Sequence, residues 1–273
     1  MHPELFHIGP LHIKAYGLTL AISFFLGVWL AIKRGEKRGL TSKLMIDFCT
    51  VILLAGIIGS RLFYVVYHTE EFAGHWVDAI NPFQSSGEIG IAGLSMMGGI
   101  VLAIIAAMVF FIVKKIVPWT VLDSMAPAFF IGIGLTRIGC FFNGCCFGKP
   151  TDAFCGVVFP ADSIAGWVFP GLHLWPTQLF ESAAGIVMLI AILLLERKST
   201  FPGYTFWVSL MLYSAWRFAI DFIRYYEDSM IFLTIGNTSF SRNQFLTVCL
   251  FIIGIAWFIY LKRKNAKAIS TAE

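Results

Sequence analysis

Seven apolar runs of near-membrane length alternate with short polar stretches along the chain, at about 16–32, 44–67, 91–113, 120–139, 176–195, 204–222 and 243–261. A helix needs about 20 apolar residues to cross the hydrocarbon core of a bilayer. Runs this long and evenly apolar do not read as strands, and a backbone exposed to lipid must satisfy its own hydrogen bonds, so helices are predicted. The pattern gives an all-α integral membrane protein of about seven transmembrane helices, one polytopic domain over residues 1–273, with short interfacial segments on its outer face. Gly56, Gly59 and Ser60 in the second run, and Gly132 and Gly134 in the fourth, read as close helix packing. Gly98 and Gly99 follow Met96 and Met97. Two adjacent glycines weaken a helix, so they are expected where a lipid or a neighbouring backbone comes close.

Charge between the runs sets an orientation. Loop 33–43 carries Lys33, Arg34, Lys37, Arg38 and Lys43, whereas loop 68–90 carries Glu70, Glu71, Asp78 and Glu88 and no Lys or Arg. Lys114 and Lys115 follow the third run, Arg197 and Lys198 the fifth, and Lys262, Arg263, Lys264 and Lys267 the last; segment 140–175 holds only Lys149 against Asp152 and Asp162. By the positive-inside rule the N-terminus is outside and the C-terminus inside. Trp76, Phe83, Trp167, Phe169 and Trp175 fall in the two outer segments, where aromatic side chains suit the lipid–water boundary. Residues 1–15 hold charges and prolines rather than a basic start before an apolar stretch, so the first span is expected to be retained.

Composition agrees with this class. The chain is 58% hydrophobic and 13% charged, about half the charge of an ordinary soluble domain, and its mean hydropathy is +0.79. One helical bundle uses the whole length, which leaves no room for a second soluble domain.

Charge inside the apolar runs is the candidate chemistry, because it is expensive there and marks function. Arg137 ends the fourth run, Arg61 lies near the outer end of the second, and Arg217 lies well inside the sixth. Three such arginines with few carboxylates near them suggest an anionic ligand, phosphate above all. Arg217, Asp221 and Arg224 stand at i, i+4 and i+7, one helix face, either as an internal ion-pair ladder or as a phosphate clamp partly held open by Asp221. Arg61 either snorkels to the interface or joins the clamp. Gln178 and Glu181 enter the fifth run near its start, and a glutamate this deep needs a partner, so both are expected to face the arginine cavity. Cys49 and Cys249 read as core. Cys140, Cys145, Cys146 and Cys155 cluster in a C-x4-C-C-x8-C spacing that does not match the paired zinc pattern. A disulfide from Cys155 to one of the others, small packing residues and a reactive thiol beside Arg137 all stay open.

The opening stretch from Pro3 to Leu18, including Tyr16, then Gly59-Ser60-Arg61-Leu62-Phe63-Tyr64, Met96-Met97-Gly98-Gly99, Arg137-Ile138-Gly139 through Asn143-Gly144 and Gly148, Pro176 through Glu181, and Arg217 through Arg224 occur in consistent order. Together they resemble the motifs of the bacterial prolipoprotein diacylglyceryl transferase family, over about residues 3–261. The resemblance implies a multi-pass enzyme of the bacterial cytoplasmic membrane. Its relatives move the diacylglyceryl group of phosphatidylglycerol onto the lipobox cysteine of a preprolipoprotein, form a thioether and release glycerol phosphate. It implies Arg137, Arg217 and Glu181 as catalytic residues, and Arg137, Arg217, Arg224, Arg61, Tyr16, Asn143, Gly98, Gly99 and Gln178 as substrate-binding. No cofactor, metal or nucleic-acid partner enters this reading. The chain departs from the family where a histidine is replaced by Met97, and where an asparagine and a glutamate are replaced by Cys140 and Cys145. The phosphate-binding half of the site is therefore expected intact and the proton-handling half altered, so that the incoming thiol, of pKa about 8.5, ionises beside Arg137 without a dedicated base. Transfer to another acceptor, a non-catalytic lipid-binding or lipid-moving role, and a membrane thiol oxidoreductase are the competing readings.

Overall fold

The computed structural model describes residues 4–8, 11–79, 81, 93–236 and 238–270. Pro3 of the opening motif, Phe83 and Glu88 lie outside the described residues. In chain order the elements are β1 (Glu4–Ile8), β2 (Leu11–Lys14), α1 (Ala15–Lys37), α2 (Ser42–Tyr67), two 3-10 turns at Thr69–Phe72 and Trp76–Ala79, and α3 (Met96–Lys114). There follow α4 (Pro118–Phe142), β3 (Val157–Val158), α5 (Ile164–Val168), β4 (His173–Leu174), α6 (Thr177–Leu195), α7 (Tyr204–Ile220), β5 (Ile231–Ile235), β6 (Thr238–Ser241) and α8 (Arg242–Ser270). Among the described residues six helices are long and apolar enough to cross a membrane: α1, α2, α3, α4, α6 with the turn after it, and α8. Their outward faces are apolar, with Phe25, Tyr67, Ile112 and Val187 all exposed, the surface of a multi-pass membrane protein rather than a soluble one.

Three predicted spans differ in extent. The run 204–222 becomes α7, 17 residues that stop at Ile220. Thr205, Ser209, Ser214 and Arg217 are all buried on it, so it spends its surface on neighbours. The run 91–113 becomes helical only at Met96, because Gly93 sits at φ +75° and the Ser95 N–H bonds back to Ser60 O on α2 at 2.9 Å. α8 continues past Tyr260 to Ser270, since Lys and Arg are good helix formers and their charge suits a helix C-terminus.

The chain divides into two compact units, one of residues 1–6, 12–34 and 119–273, the other of residues 7–11 and 35–118. In the smaller unit α2 and α3 approach backbone to backbone. A Cβ on Gly59 would lie 2.5 Å from the Gly98 carbonyl oxygen, and one on Gly99 would lie 3.0 Å from the Gly56 carbonyl. The glycine pair therefore admits a neighbouring helix. Phe48 packs against Phe110 and Phe111 with ring centroids 5.2 and 5.0 Å apart.

In the larger unit small residues draw helices together around α4. Ser23 of α1 meets Thr136 at 3.2 Å, and Gly139 leaves room for Tyr16 and Thr19. On the other side Ser182 donates to the Gly134 carbonyl at 2.6 Å, and a Cβ on Gly185 would lie 2.9 Å from the Gly134 nitrogen. Gly134 thus serves close packing, whereas Gly132 has open space around it. Asp123, buried in α4, accepts the N–H groups of Gly203 at 2.7 Å and Phe206 at 2.8 Å. It satisfies donors at the N-terminus of α7 that would otherwise lack partners in an apolar setting. Ser241 and Gln244 exchange side-chain and backbone hydrogen bonds at 2.9 and 3.0 Å, a capping box that starts α8.

Candidate functional site

The close approach of α6 to α4 sets Glu181, next to Ser182, against Arg137, one turn beyond Gly134. Arg137 Nε lies 2.6 Å from Glu181 Oε2, while Glu181 Oε1 is 3.0 Å from Arg217 Nη1 and 2.6 Å from Arg224 Nη1. Three guanidiniums therefore converge on one carboxylate that is itself buried. Arg217 also reaches Asp221 Oδ1 at 3.2 Å. The expected common face of Arg217, Asp221 and Arg224 is realised in another way: α7 ends at Ile220, and Arg224 returns through a turn pinned by its N–H to the Ile220 carbonyl at 3.2 Å and by a β-bridge to Gly148. Glu181, more than Asp221, is the counter-ion. Asp221 is instead saturated by Tyr226 at 2.9 Å and Ser241 at 2.8 Å. Tyr226 in turn accepts from Arg217 at 2.5 Å and Asn243 at 3.1 Å.

Two carboxylates, Glu181 and Asp221, face three guanidiniums, so the cluster holds one positive charge in excess. Burying ions costs several kcal/mol each unless they are well paired, and an anion in contact with the cluster would lower that cost. Arg137 is the most open of the three, its side chain 20% exposed against 10% for Arg217 and Arg224. A cavity of about 200 Å³ adjoins Arg224, lined among others by Lys149, Asp221, Tyr225, Tyr226 and Ser241. Tyr226 and Ser241 carried no periodic signal, because they lie in irregular chain and at the end of a short strand. Lys149 left a signal of another kind: it is the only Lys or Arg of segment 140–175.

Next to this cage the chain leaves α4 through Gly144 at φ +65° and Cys146 at φ +62°. A non-glycine residue in the left-handed region costs about 1–3 kcal/mol and persists where the surroundings over-determine it. They do so here: Thr177 donates to the Cys146 carbonyl at 2.8 Å, and Gln178 Nε2 donates to the Cys145 carbonyl at 2.8 Å. Gln178 is wholly buried, and among the described residues its Oε1 has no hydrogen-bond partner. The turn gathers the sulfur atoms of Cys140, Cys145 and Cys146 within 4.8 Å of one another. Hydrogen bonds from the Cys140 and Cys145 thiols pull the Cys146 thiol below its ordinary range, against the cost of burial, with Arg224 and Arg137 adding to the effect. Tyr16 and Asn143 border the same thiols. All six cysteines are free, so the disulfide from Cys155 is not formed; Cys49 is buried and Cys249 half-buried.

Arg61, Gly98 and Gly99 belong to the other unit. Arg61 is buried and donates from Nε to the Ala79 carbonyl at 2.8 Å and from Nη1 to the Gly93 carbonyl at 3.2 Å. Its guanidinium also lies over the rings of Phe72 at 5.1 Å and Tyr64 at 5.8 Å. Its side chain is held by protein rather than reaching open water. Met97, the second residue of α3, is exposed. Of the boundary aromatics, Trp76 and Trp167 are exposed, whereas Phe169 packs on Tyr225 at 4.9 Å and Trp175 on Phe180 at 6.0 Å.

The family profile described as prolipoprotein diacylglyceryl transferase matches residues 3–260. Three relatives carry the name phosphatidylglycerol–prolipoprotein diacylglyceryl transferase. That of Pseudoalteromonas atlantica is 34% identical over 270 residues, 97% of this chain and 91% of its own length. That of Clostridium tetani is 30% identical, over 94% of this chain and 97% of its own length. That of Oceanobacillus iheyensis is 29% identical, over 94% of this chain and 86% of its own length.

Proposed function

The chain belongs to the prolipoprotein diacylglyceryl transferase family, and on that premise we propose that it moves the diacylglyceryl group of phosphatidylglycerol onto the lipobox cysteine of a prolipoprotein. A thiolate attacks the terminal glyceryl carbon, the carbon–oxygen bond to phosphate breaks, and glycerol phosphate leaves. The observation that carries this reading is the convergence of Arg137, Arg217 and Arg224 on Glu181 with one positive charge in excess. The phosphate gains one negative charge as it departs, so a fixed cationic cage binds the transition state better than the bound lipid, which is what accelerates a step.

Each residue then has a role. Arg137, the most open guanidinium, contacts the departing phosphate, and Arg217 and Arg224 supply charge behind it. Glu181 holds the three apart at fixed spacing; both its oxygens are taken by guanidinium donors, so it is an electrostatic organiser rather than a base. Tyr16 and Asn143 border the acceptor thiol's approach, and Gln178 positions the Cys145 turn. The contacts of Arg61, Gly98 and Gly99 favour a positioning role over substrate contact. The whole chain works as one membrane domain with seven crossings, N-terminus outside and C-terminus inside the bacterial cytoplasmic membrane. On this count α7, about 26 Å long at 1.5 Å per residue, supplies the crossing that the six longer helices leave to be made, and the short turns and α5 lie at the outer interface. A second reading, transfer to a different acceptor, draws on the changes at Met97, Cys140 and Cys145.

Complementation tests the proposal. A bacterium depleted of its own transferase should resume lipoprotein modification when this chain is expressed, and the modified lipoprotein should carry the diacylglyceryl group. A chain that is made, inserted and unable to restore modification overturns the acceptor assignment.

A further inference from the structure

The arginine cage serves the leaving group, and beside it the chain gathers the thiols of Cys140, Cys145 and Cys146. We propose that Cys140, Cys145 and Cys146 form a three-thiolate site for a zinc-type divalent cation, whose fourth position takes the acceptor cysteine as a thiolate. The role of the fourth position rests on the transferase reading; the metal site does not.

Geometry carries the site. The three sulfur atoms lie within 4.8 Å of one another, and a tetrahedral ion with metal–sulfur bonds of about 2.3 Å needs them about 3.8 Å apart, a closure of an ångström or less. The thiols are already held in place. Cys140 is fixed in the last turn of α4, the Cys145 N–H bonds to the Cys140 carbonyl at 3.1 Å, and Cys146 is held in the left-handed region by Thr177 and Gln178. Soft thiolates select zinc and its like over hard cations. Among the described residues the group offers three ligands, the number that catalytic zinc sites use when they keep an open position. A divalent ion neutralises two of the three thiolates, and Arg137 and Arg224 stand beside Cys146.

The placement suits the chemistry. Cys140 lies one turn from Arg137 on α4, and Gln178, which holds the Cys145 carbonyl, lies one turn from Glu181 on α6, so the thiols and the cage adjoin. A thiol that coordinates such an ion is deprotonated outright, and its proton passes to solvent. The sulfur lone pair then forms the C–S bond as the C–O bond to phosphate breaks, and the phosphate leaves into the arginine cage. The thioether produced is neutral, a weaker ligand than a thiolate, and departs. The ion keeps its oxidation state throughout, and no other reactant is consumed.

The test uses the full chain purified in detergent under reducing conditions. Elemental analysis should find one zinc per chain. Replacement by cobalt(II) should produce a thiolate-to-cobalt charge-transfer band that shifts when a lipobox peptide is added and does not shift with its serine analogue. Cys140→Ser, Cys145→Ser and Cys146→Ser should each lose the band and the transfer activity, while Cys155→Ser keeps both. Gln178→Ala, which frees the turn, should weaken zinc binding about 10- to 100-fold. Failure of the wild-type chain to take up zinc or cobalt, cysteine variants that bind like wild type, or a disulfide among the three thiols would each overturn the site. Metal bound through the three cysteines with a band indifferent to the peptide thiol would overturn the fourth-position role. A cobalt band that responds to the peptide in a chain that transfers no lipid supports the site and counts against the transferase reading instead.

Discussion

Arg61 and the cluster of Arg137, Arg217 and Arg224 hold partners that differ in kind. Arg61 is surrounded by its own backbone: the carbonyls of Ala79 and Gly93 accept from it, and the rings of Phe72 and Tyr64 lie beneath it. These contacts tie the turns after α2 and the segment before α3 to one point. Arg137, Arg217 and Arg224 share one carboxylate contributed by a different helix, and their total charge is not cancelled. A guanidinium in an apolar run is therefore a candidate for binding an anion where its partners leave charge over, and a candidate clamp where carbonyls and aromatic faces hold it.

Substitution separates the two. Arg137→Ala and Arg217→Ala should each lower transfer by about 10²- to 10³-fold, the cost of removing one preorganised donor from a developing oxyanion, with the chain still folded and inserted. Lys at position 137 should recover little, because it lacks the planar fork. Steady-state rates in detergent decide this, and near-normal turnover of either alanine variant would remove the distinction between cage and clamp.

Arg61→Ala should act on order rather than chemistry. Losing hydrogen bonds from a charged donor costs about 1.5–3 kcal/mol. The cost should appear as faster hydrogen exchange over Thr69–Ala79 and a lower unfolding temperature, with transfer reduced less than in Arg137→Ala. A loss of transfer as large as that of Arg137→Ala, with exchange unchanged, would move Arg61 into the phosphate site.

The smallest effect is expected at Met97. Its side chain is exposed at the start of α3, and imidazole is of similar bulk. Met97→His should keep or modestly raise transfer, within about threefold, the equivalent of the roughly 0.5 kcal/mol usual for exposed substitutions. A many-fold rise would show that the thiol lacks a means of ionisation in the parent chain.

Much of the architecture was legible in the chain. Six of the seven apolar runs correspond to helices long enough to cross a membrane, because hydrocarbon leaves the backbone no other way to bond itself. The demand of Glu181 for a partner was legible too, since an unpaired charge at that depth is untenable. Which partners it finds was not, because Arg137, Arg217 and Arg224 reach it across helices and across a turn that ends α7. Asp123 escaped notice because a carboxylate inside an apolar run looks like a liability until the N-terminus of another helix is set against it.

The sequence by itself determined that this chain lives in a membrane, roughly where its helices run, and which residue types carry its chemistry. These follow from composition and periodicity, which act locally and leave a trace in every window of the chain. Only the tertiary structure decided that Arg61 closes on carbonyls while three other arginines share Glu181, that Gly98 and Gly99 admit a helix, and that three cysteines of unpromising spacing come within 4.8 Å of one another. Those outcomes depend on close approach between segments far apart in sequence and on two left-handed residues, Gly144 and Cys146, in a turn held by α5 at the Gly144 carbonyl and by α6 at the Cys145 and Cys146 carbonyls.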